Sequence, residues 1–173
     1  MVLQMTPFGS TCDYTKRLIT KLAQMTHPIP SPAKKISGSS GPRRLQTFAE
    51  EADRKRLTPA ALEGIRNLAG AWKLSPEESA ALLGVSTTTW DRIRRKDWEQ
   101  TLSQDQLTRI SALVGVFKGL NLLFADDMAG RWPRLRNSGP MFENREPVET
   151  MVRGGIPMML EVRRYVDALR GGL

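Results

Sequence analysis

From Leu45 onward, apolar residues recur every three or four positions, almost to the end of the chain. That is the helical period. "LQTFAEEADRKR" predicts a short helix. Thr58 is placed to cap the next one, with Pro59 in its first turn, where a missing N–H is harmless. In that helix Leu62, Ile65, Leu68, Ala69 and Trp72 share one stripe. Ser75 caps a third segment, with Pro76 at its first position. Glu77 and Glu78 then meet the positive end of the helix dipole. Gly84 closes this segment, because glycine tolerates the left-handed conformation. Ser86 caps a fourth, from Thr87 to about Lys96. Ser103 and Gln106 have capping-box spacing. They open a long helix whose stripe is Leu107, Ile110, Leu113, Val114, Phe117, Leu120 and Phe124. No strand-like alternation of useful length is present, so the fold expected is all-α.

Residues 125–173 continue less regularly. A Trp-Pro break at Trp132 is followed by a loop holding Asn137, Ser138, Gly139 and Pro140. "PVETMVRGG" starts at Pro147 and closes on Gly154 and Gly155. "IPMMLEVRRYVDALRGG" starts at Ile156 and Pro157 and closes on Gly171 and Gly172. Met159, Val162, Val166 and Leu169 form its inner stripe. Met158, Leu160 and Tyr165 fall nearer the rim. That rim suits a partner surface, since Met, Tyr and Arg are favoured at interfaces. It also suits an ordinary core with a few apolar residues left outside.

The first 46 residues break the pattern. "HPIPSPAKKISGSSGPRR", residues 27–44, is rich in Pro and Ser and has little apolar surface to offset the entropy of ordering it. It reads as a flexible linker. Residues 1–56 carry 10 Lys/Arg against 4 Asp/Glu, while residues 57–173 carry 16 against 14. The net charge of +8 is therefore mostly a property of the leader. A basic leader adds non-specific affinity for nucleic acid, or is simply a solvated extension.

"SPEESAALLGVSTTTWDRIRRK", residues 75–96, has the layout of a helix-turn-helix. Ala80 is the small residue that lets the second helix approach. Gly84 makes the turn and Val85 follows it. Trp90 and Ile93 face inward. Outward lie Thr87, Thr88, Asp91, Arg92, Arg95 and Lys96, with Ser86, Thr89 and Arg94 beside them. Hydroxyls near a helix start and arginines further along suit phosphates and base edges. Asp91 does not, unless Arg94 or Arg95 neutralises it. The same residues would also make a three-helix packing unit with a solvated basic face.

Chemistry adds little. Cys12 is the single cysteine and His27 the single histidine, both in the leader, so no disulfide framework or Cys/His metal site can be built. No nucleophile is paired with a base, which argues against an enzyme and calls for no cofactor. No apolar run approaches the ~18 residues of a membrane span, and no secretory signal is visible. These features predict a soluble, cytoplasmic protein.

"LSPEESAALLGVSTTTWDRIRR", then "LSQDQLTRISALVGVFKGLNLLF", then "RW…N…MFENREPVETMVRGG…EVRRYVDALRGG" together resemble the Xre/MbcA/ParS antitoxins, the partners of RES-domain toxins. The resemblance runs from about Leu57 to Gly172. It implies a type II toxin–antitoxin system. The C-terminal module would bind a RES-domain toxin and occlude its NAD pocket, and the helix-turn-helix would bind operator DNA of its own promoter. It also implies a homodimer within a larger toxin–antitoxin complex. Trp132 matches the family's Trp before a turn. Asn137, Met141 and Phe142 match part of that turn, with Glu143 and Asn144 where glycines are usual. Pro147 to Met151 match a helix start, and Arg163 to Leu169 the last helix.

The organisation expected is a flexible basic leader at 1–46, an Xre-like helix-turn-helix domain at 47–124 and a small helical toxin-binding domain at 125–173. Ser86, Thr87, Thr88, Thr89, Arg92, Arg95 and Lys96 are the expected DNA contacts. Trp132, Met158, Arg163, Tyr165, Gly171, Gly172 and Leu173 are the expected toxin contacts. A Gly-Gly-Leu end could enter a cationic nucleotide pocket, or fray. The alternative function is a stand-alone transcriptional regulator whose C-terminal module only dimerises.

Overall fold

The computed structural model describes residues 48–124 and 127–171. The expectations for the leader, Cys12, His27, Gly172 and Leu173 lie outside the described residues. The chain divides after Arg44, and every described residue belongs to the second unit, Leu45–Leu173. Its helices are α1 Glu51–Ala71, α2 Pro76–Leu83, α3 Thr87–Arg95, α4 Gln104–Leu123, α5 Met128–Arg131 and α6 Pro147–Gly171. A 3-10 turn, Trp132–Arg134, follows α5 directly. Among the described residues the only strand-like feature is one isolated bridge between Asn137 and Arg145. The all-α expectation holds.

The expected caps form. The Ser75 hydroxyl accepts from the Glu78 N–H at 3.1 Å, and the Ser75 N–H donates to the Glu78 carboxylate at 2.8 Å. Ser103 and Gln106 make the same reciprocal pair. Gly84 ends α2 at φ 73°, ψ 38°, so the turn uses the left-handed region as expected. A Cβ there would also meet the Arg109 guanidinium at 3.0 Å.

The start of the bundle differs from expectation. One continuous helix, α1, runs through Thr58 and Pro59, and no cap separates two helices there. Thr58 is buried inside α1. Its hydroxyl donates to the Arg54 carbonyl at 2.7 Å and accepts from the Leu102 N–H at 3.0 Å. The second bond ties α1 to the segment entering α4. Pro59 sits on the exposed side and removes one backbone bond.

The expected α1 stripe is buried: Leu62, Ile65, Leu68, Ala69 and Trp72. In α4 the expected stripe is only part of the buried surface. Leu107, Ile110, Leu113 and Leu120 are buried, but so are Ala112, Val116 and Gly119. Val114 is 37% exposed, and Phe117 and Phe124 are half-buried. The physical reason is that α4 is covered on two sides, by α1 and by α6. Gly115 and Gly119 face α6. A Cβ at Gly119 would lie 2.5 Å from the Val166 Cγ1, and one at Gly115 2.5 Å from the Arg163 Nε.

Residues 147–171 behave as the two segments expected, with no loop between them. The backbone leaves helical geometry only at Gly155, at φ 58°, ψ −150°. Met159, Val162 and Val166 are buried, whereas Leu169 is half-buried.

Candidate functional site

The outer face of α3 is built by a short helix anchored through Trp90 and Ile93, both buried. Ala80 is buried beneath it in α2. Ser86 caps α3: its hydroxyl accepts from the Thr89 N–H at 3.1 Å and donates to the Thr89 hydroxyl at 3.0 Å. Ser86 and Thr89 are thus partly engaged in holding the helix start. Thr87 and Thr88 are exposed. Arg95 and Lys96 are exposed, and among the described residues neither makes an ion pair. Lys96 closes the helix in the left-handed region at φ 67°.

Two side chains change how this face reads. Asp91 pairs with Arg94 at 3.2 Å, so the one acid on the face is partly neutralised by its own helix. Arg92 lies over the ring of Trp98 at 5.7 Å from its centroid. Such a contact holds a flexible cation in place at a modest gain. Sequence reasoning did not assign Trp98 a role. The available signal is an aromatic residue three positions beyond the end of a basic helix.

The C-terminal candidates fall in three places. Trp132 and Tyr165 join Phe142 in one aromatic cluster. Their centroids lie 5.8 Å (Trp132–Phe142), 6.4 Å (Trp132–Tyr165) and 5.5 Å (Phe142–Tyr165) apart. Phe142 is fully buried, and Trp132 and Tyr165 are half-buried at its edge. Met158 is half-buried against the core. Arg163 is drawn onto α4, donating to the Ser111 carbonyl at 3.3 Å and lying 3.9 Å from Asp167. Gly171 is exposed at the end of α6.

The turn that presents Phe142 is made by Asn137. Its side-chain oxygen accepts from the Gly139 N–H at 2.8 Å, and its carbonyl accepts from the Asn144 N–H at 3.0 Å. Glu143 and Asn144 adopt φ 48° and 62°. The left-handed geometry that glycines would supply is kept here by two residues with side chains.

Arg134 also went unassigned. Its guanidinium donates to both Glu78 carboxylate oxygens at 2.6 Å, to the Trp72 carbonyl at 3.2 Å and to the Lys73 carbonyl at 2.9 Å. It also reaches Glu146 at 3.4 Å. One side chain therefore joins the 3-10 turn, the end of α1, the first turn of α2 and the entry to α6. The hydrogen bond from Arg134 holds the Glu78 carboxyl below its ordinary value, against the opposing effect of burial.

The geometry defines a class: a helix-turn-helix protein, with its second helix free on the outer side and a C-terminal helical segment clasped to the hairpin. Residues 51–115 match the antitoxin Xre-like helix-turn-helix domain. That span begins at the first residue of α1 and contains the whole hairpin. The chain is also similar to an uncharacterised protein, y4oB, of Sinorhizobium fredii (strain NBRC 101917 / NGR234). The two are 32% identical over 115 residues, which cover 66% of this chain and 87% of that protein. No solved structure matches. Residues 51–115 thus carry an Xre-like antitoxin helix-turn-helix domain, and the chain belongs to one family with y4oB. No helix among the described residues is long and apolar enough to cross a membrane.

Proposed function

We propose that this protein is the antitoxin of a type II toxin–antitoxin system. It binds a cognate RES-domain toxin through residues 125–173, occludes the toxin's NAD pocket, and represses its own operon through residues 47–124. The observation that carries the reading is the outer face of α3, where Thr87, Thr88, Arg92 and Arg95 stand exposed with the nearby acid already paired. It is displayed by a hairpin of antitoxin type. The toxin half rests on the resemblance of Trp132, Phe142 and the last helix. The aromatic cluster supports it by giving that segment a rigid, partly open edge. Occluding a pocket needs such a rigid edge and no chemistry of its own.

The DNA half is tested by Arg92→Ala with Arg95→Ala, measured on the protein's own promoter. Each arginine contact to a base edge or phosphate is worth about 1–3 kcal/mol. Promoter affinity should fall by roughly a hundredfold for the pair. Unchanged affinity would show that α3 does not face the DNA. The toxin half is tested by co-purification with the RES-domain protein, which should be lost when residues 125–173 are removed.

A further inference from the structure

Two shallow clefts border α1 and the end of α3, and each holds cations from outside α3. The first, about 430 Å³, has Lys55, Arg66, Lys96 and Trp98 among its walls, with Glu99 as its one acid. The second, about 520 Å³, has Arg66, Lys73 and Arg94 among its walls and no acid. Arg66 belongs to both. It donates to the Ile93 carbonyl at 3.4 Å, which fixes α1 against the end of α3. Among the described residues Lys55, Lys73 and Lys96 make no ion pair, although elsewhere in the unit most arginines pair with an acid three or four residues away.

The clefts are continuous with the outer face. Trp98 lines the first cleft and carries Arg92 on its ring. Arg94 lines the second and shares its charge with Asp91 on α3. A band of positive charge thus passes from α3 onto α1. Its charged groups are mostly cationic heads at irregular spacing, which suits phosphate oxygens more than base edges.

We infer that α1 and the turn that follows it form a second nucleic-acid contact element: Lys55, Arg66 and Lys73 hold the phosphate backbone of duplex DNA beside the groove that α3 occupies. The inference rests on the proposed DNA binding and extends it to residues outside the hairpin. These contacts add affinity and register without reading sequence.

The test is Lys55→Gln with Lys73→Gln, one residue from each cleft, in the full chain. Both side chains are exposed and unpaired, so the thermal midpoint should not move. Binding is measured on promoter DNA and on an unrelated duplex, across a salt series. Each lost phosphate contact lowers the slope of log affinity against log salt by about 0.9, so the slope should fall by about 2. Affinity should fall about tenfold on both duplexes alike, leaving their ratio unchanged. Wild-type slope and affinity in the variant would overturn the inference while leaving the function standing. So would a loss confined to the promoter, or a loss of toxin binding with DNA binding intact. Failure of the wild-type protein to bind either duplex would overturn the DNA half of the proposed function itself.

Discussion

Gly119→Val should destabilise the 45–173 unit by about 3 kcal/mol, on the order of 10 °C in Tm. The cause is local. α4 and α6 touch where Gly119 leaves room for Val166, whose Cγ1 would sit 2.5 Å from an added Cβ. Valine is stiff at χ1 and cannot swing away without disturbing the packing. Val166 is itself fully buried, so no empty space receives it. Gly115→Ala is the control. There the obstacle is the Arg163 guanidinium, 2.5 Å away, which is the far end of a flexible chain. It can move at the cost of a weak 3.3 Å bond to the Ser111 carbonyl. Alanine also favours a helix over glycine by about 1 kcal/mol. Gly115→Ala should therefore leave Tm within a few degrees of the wild type. Thermal unfolding of the two variants measures the contrast. Equal losses would mean that the two helices do not meet as closely as described.

Arg134→Ala should cost about 2 kcal/mol, with a pH dependence that identifies the cause. The side chain makes a bidentate, charge-assisted pair with Glu78, and both partners are 30% exposed. That exposure keeps the loss below that of breaking a fully buried pair. Lysine should not rescue it, because an ammonium cannot match the two carboxylate oxygens and the backbone carbonyls together. Glu78 has a folded pKa below its ordinary 4.5, first because of the hydrogen bond from Arg134. A depressed carboxyl pKa contributes stability that is full above the unfolded value and lost as pH falls through the folded one. The Tm gap between wild type and Arg134→Ala should therefore be constant from neutral pH down to about 5.5, then narrow as pH falls below about 4.5. A gap that does not change with pH would assign the loss to packing alone.

These two features separate what local sequence patterns reveal from what they cannot. Ser75, Gly84, Ser86 and Ser103 are legible because a cap is satisfied within three or four residues. Trp90 and Ile93 are legible because a two-residue inner face forces everything else on α3 outward. Gly119 is not, because its close approach is to Val166, 47 residues further on. A single apolar stripe therefore understates α4. Arg134 carries no local signal: its partner Glu78 lies 56 residues back and already has a local role as a capping residue. The break expected at Pro59 fails for a similar reason. Thr58 finds partners in Arg54 and Leu102, and these hold the helix through a proline that would otherwise end it. On α3 the sequence left Asp91 two partners, and the structure pairs it with Arg94. Arg92 was legible as an outward cation, but its seat on Trp98 was not, since that ring lies beyond the helix.

In the proposed function, this chain silences a RES-domain toxin. The most direct measurement is growth of cells expressing that toxin, with and without this protein. Full-length protein should restore growth, and protein lacking residues 125–173 should not. Arg92→Ala with Arg95→Ala should still restore it, because the proposed toxin contacts lie outside α3. Continued growth arrest beside full-length, folded protein would overturn the proposed function and leave a regulator whose C-terminal helices serve only its own assembly.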